Sequence, residues 1–485
     1  LTYPGFIGPA YTLSSRKFAG DRLVNLYFEQ SETGTSKTAG ALLGTPGTRA
    51  FSTLTYGPVR ALSYQNGRMF AVGGNRLYEI NSAGVATERG IVMNIGGNDN
   101  CLIERSPTQM LIASGSRGYV YDLGANILTE IVNWLDSAGA SGIAYINNTF
   151  IAAQRGTRKF FYSDLDDAAA WDALNFYTKE GAGDNIVTVF ADHLELILMG
   201  DQTGELWQNT SDGTDPFQRF QNAFFEVGIA AERSIAQFDN SIIWLGQDKR
   251  GGRFVWRAEG YIPKRVSTFA LEYSLSTYST IADAVAFSYT DRGHSFYVLT
   301  FPTANATWVM DAASNQWHER EWWDTVHGTP HAVRYRNYCN AFGKHLVGDF
   351  QAGGVMELSH EVRTDYNPVT ATAGPLRRTR RAPHLSDENR QVTYHRMLLD
   401  MSVGEGIPLS GQGVNPLLTL RVSNDGGYTW SNEMEAEAGA LGQYDKRVAW
   451  NRLGAGRDRV MEVRCSEPIP AVWLAAELEL TPGES

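Results

Sequence analysis

Long apolar runs are missing from this chain of 485 residues. No stretch of about 18 apolar residues occurs, so no helical membrane span is expected and no membrane insertion by this chain. Cysteine is scarce: Cys101, Cys339 and Cys465 are odd in number and far apart. They form no Cys-x-x-Cys pair and no Cys/His ligand spacing, which argues against a disulfide framework and a zinc site and fits folding in a reducing compartment. Basic charge is also short, with 42 Lys and Arg against 53 Asp and Glu, a net charge of −11. A dedicated nucleic-acid binder carries a basic surface, because phosphate neutralisation supplies its affinity. DNA near this protein is therefore expected to pass without sticking. Helical periodicity is sparse; residues 164–173 are helix-like but short and read as a loop insert. Gly-x-Ser-x-Gly and Gly-x-x-x-x-Gly-Lys-Ser/Thr are absent, which leaves no nucleophile elbow and no phosphate-cradling loop. Gly73-Gly74 and Gly96-Gly97 read as turn glycines. Residues 1–10 lack a basic region followed by an apolar stretch and do not read as a signal peptide.

Glycine and aromatics are plentiful, with 49 Gly and 12% Phe, Trp and Tyr. That pairing suits many short strands joined by tight turns, since Gly supplies positive φ and aromatics fill half-buried pleated faces. Hydrophobic residues at 43% and charged residues at 20% allow a large core. Strand-like runs recur in sets of four. The first set spans 59–64, 68–72, 76–80 and 85–92, with Asn66-Gly67 as a hairpin turn. Further sets span 101–131, 142–176, 186–220, 234–266 and 282–321. The seventh, 332–358, has only three strands, and residues 48–54 are a candidate for its fourth, closing a ring. A period drifting between roughly 40 and 50 residues fits four-stranded blades with variable loops. The reading is an all-β chain with a β-propeller of seven blades, six being the alternative.

Beyond the blades the character changes. Arg377, Arg378, Arg380 and Arg381 lie between Pro375 and Pro383. The stretch reads as a basic linker or arm, and as a strip that docks an acidic neighbouring subunit, because Arg bonds carboxylates bidentately; nucleic-acid contact and a solvated linker are the alternatives. Six strand-like runs then follow, ending with 472–480, and predict a C-terminal antiparallel β-sandwich. The expected domains are an N-terminal arm with the ring-closing strand (1–57), the propeller (58–369), the basic linker (370–390) and the sandwich (391–485).

The sharpest local motif is Ser423-Asn-Asp425-Gly-Gly427-Tyr-Thr429-Trp430, an Asp-box pattern shared with sialidase-type propellers. Asp425 can bond backbone amides within the turn, Gly427 can take positive φ, and Trp430 can tuck beneath. It reads as a structural hairpin, not as catalytic machinery. Residues 291–296 form a looser copy. Acidic clusters at Asp164, Asp166 and Asp167, and at Glu319, Glu321 and Asp324 beside Trp322 and Trp323, read as solvated loops in an acidic protein, although a glycosidase also needs paired carboxylates. His327 and His331 have i, i+4 spacing without the glutamate of a zinc-protease helix, and Pro330 opposes that helix. No catalytic residue, cofactor or metal ligand is assigned.

Several segments together resemble one family. Residues 5–8 and 10–15, then Asp21-Arg-Leu-Val-Asn-Leu-Tyr27, open the chain in the manner of the tail-nozzle, or packaged-DNA-stabilisation, proteins of short-tailed bacteriophages. Residues 43–47 and 57–62 follow in the same order, and 422–430 and 460–464 recur near the other end. Leu23 stands where the family often has another residue. The resemblance implies a non-enzymatic virion protein in the viral tail, assembled in the host cytoplasm. It implies a homohexameric ring below the portal-adaptor that passes double-stranded DNA, receives a tail needle or plug, and carries a tail fibre or tailspike. The alternatives are a sialidase-like glycoside hydrolase and a carbohydrate-binding receptor protein on a propeller scaffold.

Overall fold

Second strands of the blades, such as Arg68–Gly73, Gln109–Ser114 and Glu195–Gly200, are apolar on both faces and buried almost throughout. A strand buried on both faces needs a sheet packed against each side, and radial stacking of blades provides it. The computed structural model describes residues 1–32, 36–93, 101–210, 216–248, 250–407 and 411–483; Gly96-Gly97 lie outside them. Within these residues seven four-stranded antiparallel units follow one another. Blade one runs from Val59 to Ile91, with a tight turn at Asn66 (φ 52°) and Gly67 (φ 77°). The last blade comprises Tyr335–Ala341, Lys344–Asp349, Gly354–Ser359 and, as its fourth strand, Gly47–Thr53. The count is therefore seven, and the first and last parts of the propeller are stitched by one strand.

Seven apolar clusters sit between neighbouring blades. Phe70, Val72, Met110 and Ile112 fill the space between blades one and two, and Met69, Ala71, Leu346 and Val355 the space between blades seven and one. An eighth cluster fills the sandwich. We label the N-terminal strands β1 (Arg22–Val24), β2 (Leu26–Gln30), β3 (Gly40–Gly44) and β4 (Gly47–Thr53). One sandwich sheet has the order β2, β3, Val472–Pro482, Val392–Met401, Val448–Gly456. The other runs β1, Arg378–Arg381, Asp458–Cys465, Leu417–Ser423, Met434–Glu437. On its other side β1 pairs in parallel with Gln316–Glu319, the last strand of blade six. Blade six and the sandwich thus share one continuous sheet.

This topology corrects three expectations. Much of the N-terminal segment is not an arm: Tyr3, Phe6, Leu23, Leu26 and Leu42 are core residues of the sandwich. The basic stretch is not a linker, because Arg378–Arg381 is a central strand bonded on both edges. Residues 164–173 are not a loop insert; the chain turns at Asp166 (φ 54°) between strands Lys159–Asp164 and Asp167–Thr178. A helix does occur where none is expected. In α1 (Phe269–Thr277), the Thr268 side chain accepts the Leu271 N–H, and Leu271 and Leu275 join the core between blades five and six.

Candidate functional site at the propeller–sandwich junction

Strand alternation decides what each residue of the basic stretch does. Arg378 and Arg380 are 1% and 0% exposed. Arg380 Nε donates to Phe6 O at 2.8 Å and Nη2 to Gly5 O at 2.6 Å, and Asp21 lies 3.7 Å away. Burial pushes its pKa down to about 10, partly offset by the Asp21 carboxylate. It therefore pegs the N-terminal segment onto the sandwich. Arg378 Nη1 donates to Glu467 O at 3.3 Å, and burial lowers its pKa too. Arg381 points the other way and bonds Glu462 at 2.8 Å. Arg377 lies 4.2 Å over the Trp323 ring. A strip docking a second subunit would need its guanidiniums at the surface; two of the four are sealed inside this chain, which corrects the docking expectation.

The outer face of the same sheet carries a ladder of charge. Arg22 bonds Glu319 and Glu321 at 2.5 and 2.6 Å. Glu462, 1% exposed, receives Arg381, Arg421 and Arg464 at 2.8, 2.7 and 2.6 Å. Burial opposes its charge, but the three guanidiniums overcome that and hold its pKa below the usual carboxylate range. Trp430 is flanked by Arg421 at 4.4 Å and Arg381 at 5.0 Å from its ring centre, each within cation–π range.

Trp430 belongs to the Asp-box turn. Asp425 accepts the Tyr428 N–H at 2.9 Å, the Thr429 N–H at 2.9 Å and the Thr429 Oγ1–H at 2.6 Å. Ser423 Oγ donates to Asp425 at 2.7 Å and accepts the Gly427 N–H at 2.8 Å. Gly426 and Gly427 take φ of 80° and 90°, and Trp430 Nε1 donates to Gly427 O at 3.2 Å. These bonds, led by the Thr429 and Ser423 side chains, hold the Asp425 carboxyl far below its ordinary pKa. A carboxylate so engaged is the internal frame of the turn.

The other candidates disperse. Glu319 and Glu321 are bound by Arg22, and Asp324 meets His327 Nδ1 at 2.5 Å. Asp166 accepts the Tyr145 hydroxyl at 3.0 Å. His327 and His331 belong to a hairpin of Glu321–Asp324 and Thr329–Ala332, not a helix. No cluster able to hold a metal occurs among the described residues.

A histidine cluster at the junction has no strong sequence signal. Tyr27 of β2 packs against His294, His318 and His360, with ring centres 5.2, 6.3 and 6.2 Å away. His294 meets Asp311 at 3.0 Å and Glu29 at 2.5 Å, which raises its pKa. Burial drives His318 well below the ordinary value and His360 to about 4. His294 is in the looser Asp-box copy, where Arg292 and Gly293 form a turn with φ of 52° and 85°; the contact with Glu29 spans 265 residues and no local pattern announces it.

At the propeller axis a cavity of about 120 Å³ is lined by Arg60, Glu232, Arg233, Asp283, Arg336 and Asn337, and the Arg233 guanidinium donates to Asn337 Oδ1. That space is far too small for a nucleic-acid duplex, whose major groove alone is about 12 Å wide.

A closed ring of blades fused through a shared sheet to a sandwich, with its charged side chains at the junction bonded to one another, defines a rigid structural scaffold. No curated protein matches the chain. Family models do: residues 6–363 match Bacteriophage P22 Gp10, beta-propeller, and residues 377–481 match Bacteriophage P22 Gp10, beta-sandwich. The chain belongs to this family of short-tailed phage tail proteins, and it is a structural protein of the tail, not an enzyme. The hydrolase alternative falls with that assignment. Among solved structures, the computationally designed Ika8 protein is 9% identical over 64% of this chain and 99% of its own, with a TM-score of 0.41. The WD40 propeller domain of Doa1 is 10% identical over 65% of this chain and 97% of its own, also at 0.41. PorZ of Porphyromonas gingivalis is 13% identical over 72% of this chain and 44% of its own, at 0.37. These likenesses carry no functional argument.

Proposed function

We propose that this chain is a subunit of the tail nozzle: copies of it, six in number, form a ring below the portal-adaptor that continues the DNA-ejection channel, retains packaged DNA, receives a tail needle or plug and anchors fibres or spikes. The observation that carries this reading is the shared sheet between blade six and the sandwich. It makes two domains one stiff body, as a part of a pressurised conduit must be. The small cavity at the propeller axis supports a second point: the duplex passes between copies and not through a single propeller. A net charge of −11 per copy supports sliding, because an anionic wall repels phosphate. Light scattering and negative-stain microscopy of the chain mixed with its portal-adaptor test the reading. Rings of six with an open centre are expected. A mixture that yields only single protomers refutes it.

A further inference from the structure

Two surface features of opposite charge have no role inside the fold. The first is a braced turn on the sandwich. Ser14, Ser15, Arg16, Lys17 and Phe18 are all exposed, Phe18 at 75%. The turn is not loose. Phe18 N and Ala19 N donate to Ser15 O at 3.0 and 3.2 Å, and Thr12 and Gly20 pair at its base. His384 holds it from below, with Nε2 2.7 Å from Arg16 O and Nδ1 2.6 Å from Asp458. Arg16 lies 5.5 Å over the ring of Tyr428, itself 59% exposed in the Asp-box turn. The result is a fixed knob of two cations around an aromatic ring. Exposing a phenylalanine on a rigid, cationic turn serves no local packing.

The second feature is a cleft of about 680 Å³ between blades four and five. Its rim carries Asp192, Glu195, Asp239 and Glu259, and Ile197 and Phe225 also line it. Arg257 neutralises Asp239 at 2.8 Å and Lys264 neutralises Glu259 at 2.7 Å. Among the described residues Asp192 pairs with the imidazole of His193, at 3.1 Å, and Glu195 accepts the Tyr261 hydroxyl at 2.5 Å. Two half-buried carboxylates, Asp192 with 16% of its side chain accessible, thus line the cleft beside exposed apolar groups: Leu194 at 69%, Tyr261 at 41% and Ile262 at 72%.

We infer that the Arg16–Phe18 knob of one copy seats in the blade four–five cleft of the next, with Phe18 beside the exposed Leu194 and Tyr261 and Arg16 and Lys17 against Asp192 and Glu195. This rests on the ring reading above and names the surfaces that would join its members. Knob and cleft are different patches, so the contact is heterologous, and such contacts repeat from copy to copy until they close. The cleft lies between blades four and five, and the sandwich joins blade six, so the two patches sit on different parts of the molecule. Opposite charge on the two patches steers encounter and fixes which patch meets which.

The test uses the full chain and sedimentation equilibrium. Arg16→Glu with Lys17→Glu, and separately Phe18→Ala, change exposed side chains and leave the fold intact by circular dichroism. Each is expected to weaken self-association about tenfold or more. Adding Asp192→Lys with Glu195→Lys to the knob reversal restores it. A Phe18→Cys, Tyr261→Cys chain is expected to cross-link between copies on oxidation, since the three native cysteines are buried. If the wild-type chain associates while the knob variants associate equally well and no cross-link forms, the docking inference falls and the ring reading stands. If the wild-type chain stays monomeric alone, the same variants are compared in the mixture with the portal-adaptor: rings that form equally well with the knob reversed overturn the docking inference and leave the ring reading standing, whereas a wild-type mixture that yields only protomers ends both. If the knob reversal abolishes retention of duplex DNA in a gel shift and leaves association unchanged, the knob serves nucleic acid and the inference is overturned.

Discussion

Glu462 sits at the meeting point of Arg381, Arg421 and Arg464, and its pKa direction records their combined pull. Replacing it with glutamine keeps the shape and removes the only charge that the three guanidiniums share. Glu462→Gln is expected to cost about 3 kcal/mol, the range for breaking a buried ion pair by removing one partner. Urea unfolding reads this directly, and an unchanged midpoint would show the ladder to be decorative. Ser423, 2% exposed, makes two bonds within the Asp-box turn. Ser423→Ala is expected to cost about 1–2 kcal/mol, with amide exchange speeding at Gly427 while the blades keep their protection. Arg380 is a different case: its charge answers backbone carbonyls of the N-terminal segment more than any carboxylate, so a basic residue acts here as an internal clamp.

Gly47 opens β4, the strand that closes the propeller. A Cβ there would lie 2.4 Å from Thr364 O and 2.7 Å from Val362 O. Both are backbone atoms that cannot swing away, so Gly47→Ala is expected to destabilise by about 2 kcal/mol, seen as a lowered thermal midpoint. Much of the element pattern is legible from sequence. Asn66-Gly67, the double-faced apolar strands and the missing fourth strand of the last set all follow local rules of turns and burial. What hides is what those rules do not describe. Arg378–Arg381 is a strand whose inward residues are arginines bonded to the Glu467 and Phe6 carbonyls, so no apolar alternation marks it. Helix α1 hides because nine residues leave room for little more than two turns of periodicity. The Asp-box turn is readable because its bonds are all local, whereas the histidine cluster joins strands from three distant parts of the chain.

At the scale of the whole molecule the propeller and sandwich meet over titratable groups. His360, with a pKa lowered to about 4, is neutral in the folded protein where the unfolded chain would be protonated. Between pH 6.5 and 4 the unfolded chain therefore takes up the extra proton, and acid favours unfolding through this group. His294 has the opposite sign: its raised pKa gives stability that is complete below the unfolded value and is lost as pH rises through the folded one. His360→Asn is thus expected to lose less stability than the parent as pH falls from 6.5 to 4, by up to about 3 kcal/mol. Parallel urea titrations at several pH values measure the gap; parallel curves would remove His360 from the acid response.

The pairing of β1 with blade six and with Arg378–Arg381 has a consequence for biogenesis. Tyr3 N–H donates to Ala476 O at 2.7 Å, and Thr2 bridges Glu477. Residues around Tyr3 find their partners only after the Val472–Pro482 strand has been synthesised, so they stay unpaired while the blades form. Contacts of such long range close slowly. A half-built chain therefore exposes unpaired strand edges during translation, and the sandwich locks only when these far-separated strands are brought together.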